Sequence, residues 1–516
     1  MATADRISAL RGMRDVMSAE YARRQRVERT LERHLRLRGY APVDLPILEN
    51  TELYLRKSGE EISARLFEFN FKNRRIALRP EITASVLRAY VDHMQDAPLP
   101  LRIQYSGPVF RYEKPQQSRY RQFTMAGAEL LGASGARADA EVLQLACSGL
   151  ESVGLSDYKL VIGHATLLEG YLQKLGLRKQ LLNHLLRNME NLRKRGLSQV
   201  IASLRMLFPE FEHDVEPEAK PDPAAESGSQ ELIKALREMS DGEARRAISD
   251  FLHSLNIRIE SNRDEDEVID RLLHKIREDE QAPKLRLALA YMERLGKLRG
   301  SPAEVLPLAR ALAAEYDLER NPIGHLEQSL ACLADYGPLA GQVELDFGLN
   351  RGLHYYTGLI FEIHCRPAVG ETIQVCGGGR YDSLVSILGG GAPTPAAGFA
   401  YGVERVAGLL SSEAAAFAGP DVYVIPITDA DVAASLRIAE ELRARDAAVE
   451  VSIGGRSLRR RLKQADRKSA PLVVIIGESE REGQSVILRD MRSHEEWQVA
   501  NQELPSRVKE RMQADE

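Results

Sequence analysis

A chain of 516 residues exceeds the roughly 100–200 residues of one domain, so two to four domains with ample buried core are expected. Lys and Arg total 70 against 75 Asp and Glu, a formal charge of -5, which excludes a protein that meets polyanions through its overall field and leaves that task to local patches. Cys147, Cys332, Cys365 and Cys376 form no CxxC pair, a pattern that argues against a disulfide frame or a thiolate metal site, and no metal ligand is assigned.

The N-terminus, MATADRISALRGMRD, has no apolar h-region, and no stretch approaches the roughly 20 apolar residues of a spanning helix, so a soluble, cytoplasmic protein without a membrane partner is expected. Residues 18–38 place Tyr21, Val27, Leu31 and Leu35 at helical spacing before Gly39, which predicts an amphipathic helix. YAPVDLPILE, RRIALRPE, LPLRIQYSGPVFRYE and YRQFTMAGAELLG follow as short apolar or alternating runs cut by Pro and Gly, which predict antiparallel strands. Glu81, Thr83 and Glu129 are read as polar residues on these strands, where a carboxylate can bind an amino group or an imidazole nitrogen, or can simply mark an exposed edge. Arg111 stands where a strand enters a polar loop, a setting for a planar cation that fixes a phosphate or for an ordinary surface pair.

From about residue 165 to 340 the texture changes to charged, Leu-rich helical periodicity, interrupted at 214 by DVEPEAKPDPAAESGSQ, which is read as a loop. Strand patterns return at VELDFGL, LIFEIHC and AAGFAYG, so the helical block divides one α+β domain. Within the returning part, NRGLHYYTGLIFE at 350–362 and the Gly-rich CGGGRYDSL at 376–384 are too dense in polar function for a core segment and are read as a substrate pocket. In AAGFAYGVERV, Gly398 and Gly402 allow close approach and Arg405 lies just inside a helix. Beyond the linker SSEAAAFAGP, strands alternating with helices from about 420 to the end predict a small α/β domain. Its helix over 456–468 carries Arg456, Arg459, Arg460, Arg461, Lys463, Arg467 and Lys468 against Asp466 alone, a basic stripe of the kind phosphate-backbone binding uses and also a common solvated face.

Together these motifs, in this order, resemble the histidyl-tRNA synthetases, class II aminoacyl-tRNA synthetases, over nearly the whole chain. RGMRDVM, GYAPVDLPILE with Pro46 (motif 1), FRYEKPQ…YRQF (motif 2), GFAYGVER (motif 3), RGLHYYTG and GGGRYD carry the resemblance. It implies a class II antiparallel sheet with flanking helices in a catalytic core over 1–164 and 341–412, a helical insertion over 165–340, and an anticodon-binding domain over 420–516. The implied activity is ATP- and Mg2+-dependent formation of histidyl-adenylate from L-histidine and its transfer to tRNA(His), by a homodimer joined through motif 1.

By the same resemblance Arg111, Glu113 and Arg405 hold ATP, and Arg351 with Arg111 stabilises charge at the α-phosphate. Glu81 and Thr83 meet the substrate amino group, Glu129 and Tyr356 its imidazole, and Met125, Tyr355 and Gly378 line the pocket. Gln116, Arg121, Arg456, Arg460 and Lys463 face tRNA. Three positions depart from the family pattern: Met125 stands for a glutamine, His354 for the aspartate of RGLDYY and Ile82 for the glycine of LRPEGT. They keep two further readings open, a regulatory subunit of ATP phosphoribosyltransferase and a paralogue acting on another amino acid or polyanion. The regulatory paralogues typically lack the C-terminal domain that this sequence has.

Overall fold

The protein is described by a computed structural model over residues 7–58, 64–112, 120–208, 211, 236, 239–254, 269, 281–318, 321–349, 355–367, 370–410, 419–453 and 457–513. Two compact units emerge, Met1–Asp15 with Arg24–Leu410 and Val16–Arg23 with Ser411–Glu516. The larger is built on a nine-stranded sheet in the order β1-β5-β6-β12-β11-β10-β7-β9-β8. Its strands are β1 (Ala41–Pro42), β5 (Leu101–Phe110), β6 (Gln122–Leu131), β7 (Tyr158–His164), β8 (Arg299–Gly300), β9 (Gln342–Asp346), β10 (Leu359–Cys365), β11 (Ile373–Arg380) and β12 (Ala396–Gly402). β2 (Leu48–Asn50), β3 (Phe67–Phe71) and β4 (Arg74–Leu78) make a separate antiparallel sheet. The large sheet is antiparallel except at β1–β5 and β7–β9.

The chain leaves this sheet after β7, touches its edge at β8 and re-enters at β9 and β10, with Leu359 opposite His164. Between them lie the helices Ala165–Lys174, Lys179–Arg195, Leu197–Leu207, Asp241–Ser254, Gln281–Gly296, Pro302–Glu315 and Asn321–Ala334. Sheet pairing across this helical block follows from two apolar strands, β7 and β10, that are buried along most of their length. Among the described residues no helix is long and apolar enough to cross a membrane.

Strand alternation gives the sheet two chemically different faces. Ala126, Ala128 and Leu130 of β6 enter the main core with Leu143, Leu150 and Phe361, against the helix Ala136–Ser152. Met125 and Leu131 point to the opposite face, where Ile103, Tyr105, Tyr355, Tyr356 and Tyr381 pack with the helix Thr83–His93. Glu129 is in phase with this second set, and it is there that the polar groups gather.

One expectation is corrected. Glu81 and Thr83 lie on no strand: β4 ends at Leu78, Thr83 opens a helix, and both Glu81 carboxylate oxygens accept the Ala84 N–H at 3.2 and 3.3 Å. Pro80 and a side-chain acceptor ahead of a helix are a start signal that outweighs the apolar run before it. The glycines of CGGGRYD, for their part, lie within a strand, β11. A Cβ on Gly379 would come within 2.6 Å of the Leu359 carbonyl and 2.8 Å of Tyr356, and one on Gly378 would overlap the Gly398 carbonyl. Glycine is there because neighbouring strands and a tyrosine press on the backbone.

In the smaller unit β13 (Val422–Pro426) is flanked by β14 (Val449–Val451) and β15 (Leu472–Ile476), all parallel, as the alternation of strands and helices predicts. β16 (Ser485–Asp490) and β17 (Glu496–Ala500) extend this sheet as an antiparallel hairpin.

Candidate active site

At one end of the second face a cavity of about 140 Å³ is lined by Arg111, Tyr120, Phe123 and Met125, by β11 from Gln374 to Gly377, and by Ala400, Tyr401, Gly402, Glu404 and Arg405. Its two arginines come from distant segments and each is fixed by a backbone carbonyl: Arg111 Nε donates to Pro80 O and Arg405 Nη1 to Gln374 O, both at 2.8 Å. Arg111 also lies over the Phe123 ring, 5.3 Å from its centroid. Arg405 reaches the cavity because β12 turns into the helix Val403–Leu409 at Gly402, two residues before Glu404, whose carboxylate takes the Thr124 N–H at 2.9 Å. Two anchored guanidinium planes on one wall are suited to a polyphosphate.

Four residues further along β6, about 13 Å at strand rise, stands Glu129. It is 1% exposed and accepts from three hydroxyls: Thr83 Oγ1 at 2.7 Å, Tyr105 at 3.0 Å and Tyr381. Burial pushes its carboxyl up to about 8, against the lowering pull of the Thr83 and Tyr105 hydroxyls and of Lys57. Gly398, opposite it on β12, has no room for a Cβ, which would overlap Glu129 Oε2. Tyr355 and Tyr356 stack beside it with ring centroids 4.5 Å apart and hydroxyls 3.4 Å apart. The arrangement offers one buried acceptor among phenols, which suits a small ring bearing an N–H.

Glu81 takes Lys57 Nζ at 2.9 Å, and the same ammonium lies 4.3 Å from the centre of the Tyr355 ring. The structure therefore brings together Glu81, Thr83, Glu129, Tyr355 and Tyr356 beside Gly379, and Arg111, Met125 and Arg405 around the cavity, whereas Gly378, expected in the pocket, faces Phe361 and Phe399 on the main-core side of the sheet. Thr83, expected beside Glu81, directs its hydroxyl to Glu129. Arg121 is tied to the N-terminal segment: its N–H and Nη1 donate to the Gly12 and Arg11 carbonyls at 2.9 Å, and its guanidinium covers Tyr112. Arg351, Glu113, Gln116 and Arg456, as well as His354, lie outside the described residues.

Sequence reasoning passed over Lys57, Tyr105, Glu404 and Tyr381. Tyr381 stood inside GGGRYD and was overshadowed by its glycines. Its neighbour Arg380 anchors this stretch by donating from Nε to Asp139 Oδ1 at 2.8 Å, while Asp139 Oδ2 lies 2.7 Å from Nε2 of His325 in the helix Asn321–Ala334.

The family model for histidyl-tRNA synthetase matches residues 12–268 and 248–406, and that for an anticodon binding domain matches 421–511. The chain belongs to the histidyl-tRNA synthetase family. It is similar to a histidine–tRNA ligase of Pyrococcus horikoshii, 31% identical over 507 residues that cover 98% of this chain and 99% of the relative. Its fold is shared with a histidyl-tRNA synthetase from Nostoc sp. PCC 7120, at TM-score 0.65 and 20% identity over 98% of this chain and 100% of that one. The fold is shared too with an ATP phosphoribosyltransferase regulatory subunit/histidyl-tRNA synthetase from Bacillus halodurans, at TM-score 0.62 and 21% identity over 92% and 100% of the two chains.

Within the histidyl-tRNA synthetase frame, two of the three departures have a place. Met125 presents a thioether to the cavity wall between the arginines and Glu129, where an amide would donate and accept. Ile82 is 1% exposed and packs beneath the pocket with Val86 and Tyr105, so bulk replaces a glycine without entering the polar cluster.

In the anticodon-binding domain of this synthetase-family chain, the helix Leu458–Arg467 exposes Arg459, Arg460, Lys463 and Arg467. Arg461 does not belong to this stripe. It is 7% exposed and donates to the Pro426 and Ile427 carbonyls at the end of β13. Arg461→Ala should lower the stability of this domain by about 2 kcal/mol, because the buried Pro426 carbonyl and the more exposed Ile427 carbonyl lose a charged donor. A lowered Tm for this domain with unchanged histidine-dependent pyrophosphate exchange is the expected pair of readings.

Proposed function

We propose that the chain is a histidine–tRNA ligase that forms histidyl-adenylate from L-histidine and ATP and transfers histidine to tRNA(His). The observation that carries this reading is that one sheet face holds both the arginine-walled cavity and the buried Glu129 cluster, with Met125 on the cavity wall about 13 Å from Glu129 along β6. That separation suits an amino acid whose ring meets Glu129 while its carboxylate approaches a phosphate bound at Arg111 and Arg405.

Adenylation is an in-line attack of the histidine carboxylate on the α-phosphate, so the protein's task is positioning and charge stabilisation without a nucleophile of its own. Arg111 and Arg405 offset charge on the phosphates, and Arg351 and Glu113 are assigned to the same nucleotide. Glu129, as a carboxylate, accepts the imidazole N–H, the Tyr356 phenol meets the other side of the ring, and Glu81 with Thr83 receives the amino group. Tyr355 and Met125 shape the pocket. Mg2+ arriving with ATP would share the phosphate charge, and Glu404 is the hard oxygen donor on the cavity wall. No group of three or more metal-ligating side chains stands ready to hold a metal among the described residues.

The same reading divides the chain into a catalytic core over 1–164 and 341–412, an insertion over 165–340 and an anticodon-binding domain over 420–516. It assigns Gln116 and Arg121 to the acceptor end and Arg456, Arg460 and Lys463 to the tRNA backbone, and it places a homodimer in the cytoplasm. The test is ATP–pyrophosphate exchange across the twenty amino acids, with and without tRNA(His). Exchange with histidine alone is the expected result. Silence alongside measurable histidine binding overturns the proposal in favour of a regulatory subunit.

A further inference from the structure

Lys57 lies in the last turn of the helix Thr51–Ser58, four residues after Leu53 and three after Tyr54, both buried, so helical spacing carries it inward with them. Its side chain is 2% exposed, a rare place for an ammonium unless a partner holds it. The partners are the Glu81 carboxylate, 2.9 Å from Nζ, and the Tyr355 ring face, 4.3 Å away. A carboxylate and an aromatic face around one ammonium are the contacts an amino acid's own α-ammonium seeks.

We propose that Lys57 is a positioning residue that tunes amino-acid affinity by competing with the substrate ammonium for Glu81. The inference rests on the reading of Glu81 as the amino-group contact. Glu81 already receives Lys57 and, shared between both its oxygens, the Ala84 N–H, so a substrate ammonium that joins it must approach beside Lys57 Nζ. A second ammonium brought within about 4 Å of Lys57 is repelled strongly enough in this half-dry setting to cost about tenfold or more in affinity. Histidine therefore binds when Lys57 swings away from Glu81 or when a further negative charge joins the cluster. Glu129 is the group placed to supply that charge, since Tyr381, which donates to it, packs against the Tyr355 ring that Lys57 faces. Lys57 thus sets the amino-acid concentration at which the enzyme begins to work and leaves nucleotide binding untouched.

The test is pyrophosphate exchange and histidine-dependent thermal stabilisation on the full chain for wild type, Lys57→Met, Lys57→Gln and Glu81→Gln. Lys57→Met should lower the KM for histidine about tenfold with the ATP KM within about twofold of wild type. Its Tm should fall, and histidine should raise it by more than in wild type, because the substrate then pairs with a carboxylate left alone. Lys57→Gln keeps a neutral donor for Glu81 and should shift the histidine KM in the same direction, which covers the case of a poorly folding Met variant. Glu81→Gln should raise the histidine KM. An unchanged or raised histidine KM in both Lys57 variants, with Glu81→Gln still raising it, overturns the role of Lys57 alone. An unchanged KM in Glu81→Gln overturns the amino-group assignment beneath it, and the Lys57 proposal with it.

Discussion

Arg405→Ala should lower kcat/KM for ATP in histidine-dependent pyrophosphate exchange by about 10²–10³-fold, and Arg111→Ala by a similar factor. The reason is geometric as much as electrostatic. Each guanidinium is held by a backbone carbonyl, Arg405 at Gln374 and Arg111 at Pro80, so its plane is set before the nucleotide arrives and no reorganisation is needed during reaction. Lysine should rescue poorly at either position, because a point charge on a flexible stem can neither keep that anchoring bond and its fork together nor present two parallel donors. The double variant should lose less than the product of the single losses, since the two arginines line one cavity and act on one bound group. Both side chains are only partly buried, so Tm should move little. A loss below about threefold in Arg405→Ala would place the phosphates elsewhere.

How much of this was legible in the sequence differs residue by residue. Arg111 and Arg405 were found because their motifs fix both the residue type and its place at an element boundary, and the structure seats both on one cavity. Glu129 was visible only as a polar residue in an apolar run, a pattern equally fitting an exposed edge. What separates the two cases is the neighbouring strand, since β6 lies between β5 and β12 and no local pattern reveals that order. The glycine run read as a pocket segment with no strand assigned either way, because glycine is a poor strand former when side-chain packing decides; here backbone crowding from β10 and β12 decides.

Lys57 and Arg461 show the opposite failing: the signal was present and charge obscured it. Lys57 shares a helix face with Leu53 and Tyr54 and was passed over, and Arg461 falls one turn before Ala465 on the apolar side of its helix yet was counted in a basic stripe. Periodicity outranks charge when a single cation sits in phase with buried neighbours. The β16–β17 hairpin was missed for a simpler reason. Its alternation is short, and only Val486, Leu488 and Val499 mark the core side.

Glu129 should make histidine binding depend on pH in a window that neither ordinary carboxylates nor the substrate would produce. Its carboxyl is pushed up to about 8 by burial, so the folded protein holds a proton there that an unfolded chain releases near the ordinary value of 4.5. Linkage then gives the sign: between those values the folded state carries the extra proton, and this group's contribution to stability is full below 4.5 and declines as pH rises toward about 8. Histidine binding runs the other way. An imidazole N–H needs the carboxylate form as its acceptor, so binding near neutral pH must expel the proton, and affinity rises until the group is ionised in the free protein. The histidine KM should therefore fall several-fold, to about tenfold, between about pH 7 and 8.5, above the midpoint of the free imidazole's own titration near about 6.5. Tyr105 does not confuse the window, since burial pushes its phenol well above its usual value. Glu129→Gln should raise the KM about tenfold to a hundredfold and flatten the profile, because an amide keeps the shape and an acceptor oxygen but holds no proton to release. Calorimetry in two buffers of different ionisation heat should count close to one proton released per histidine bound at pH 7 in wild type and none in the variant. A profile that survives Glu129→Gln would assign the titration to another group and remove the imidazole from this end of β6.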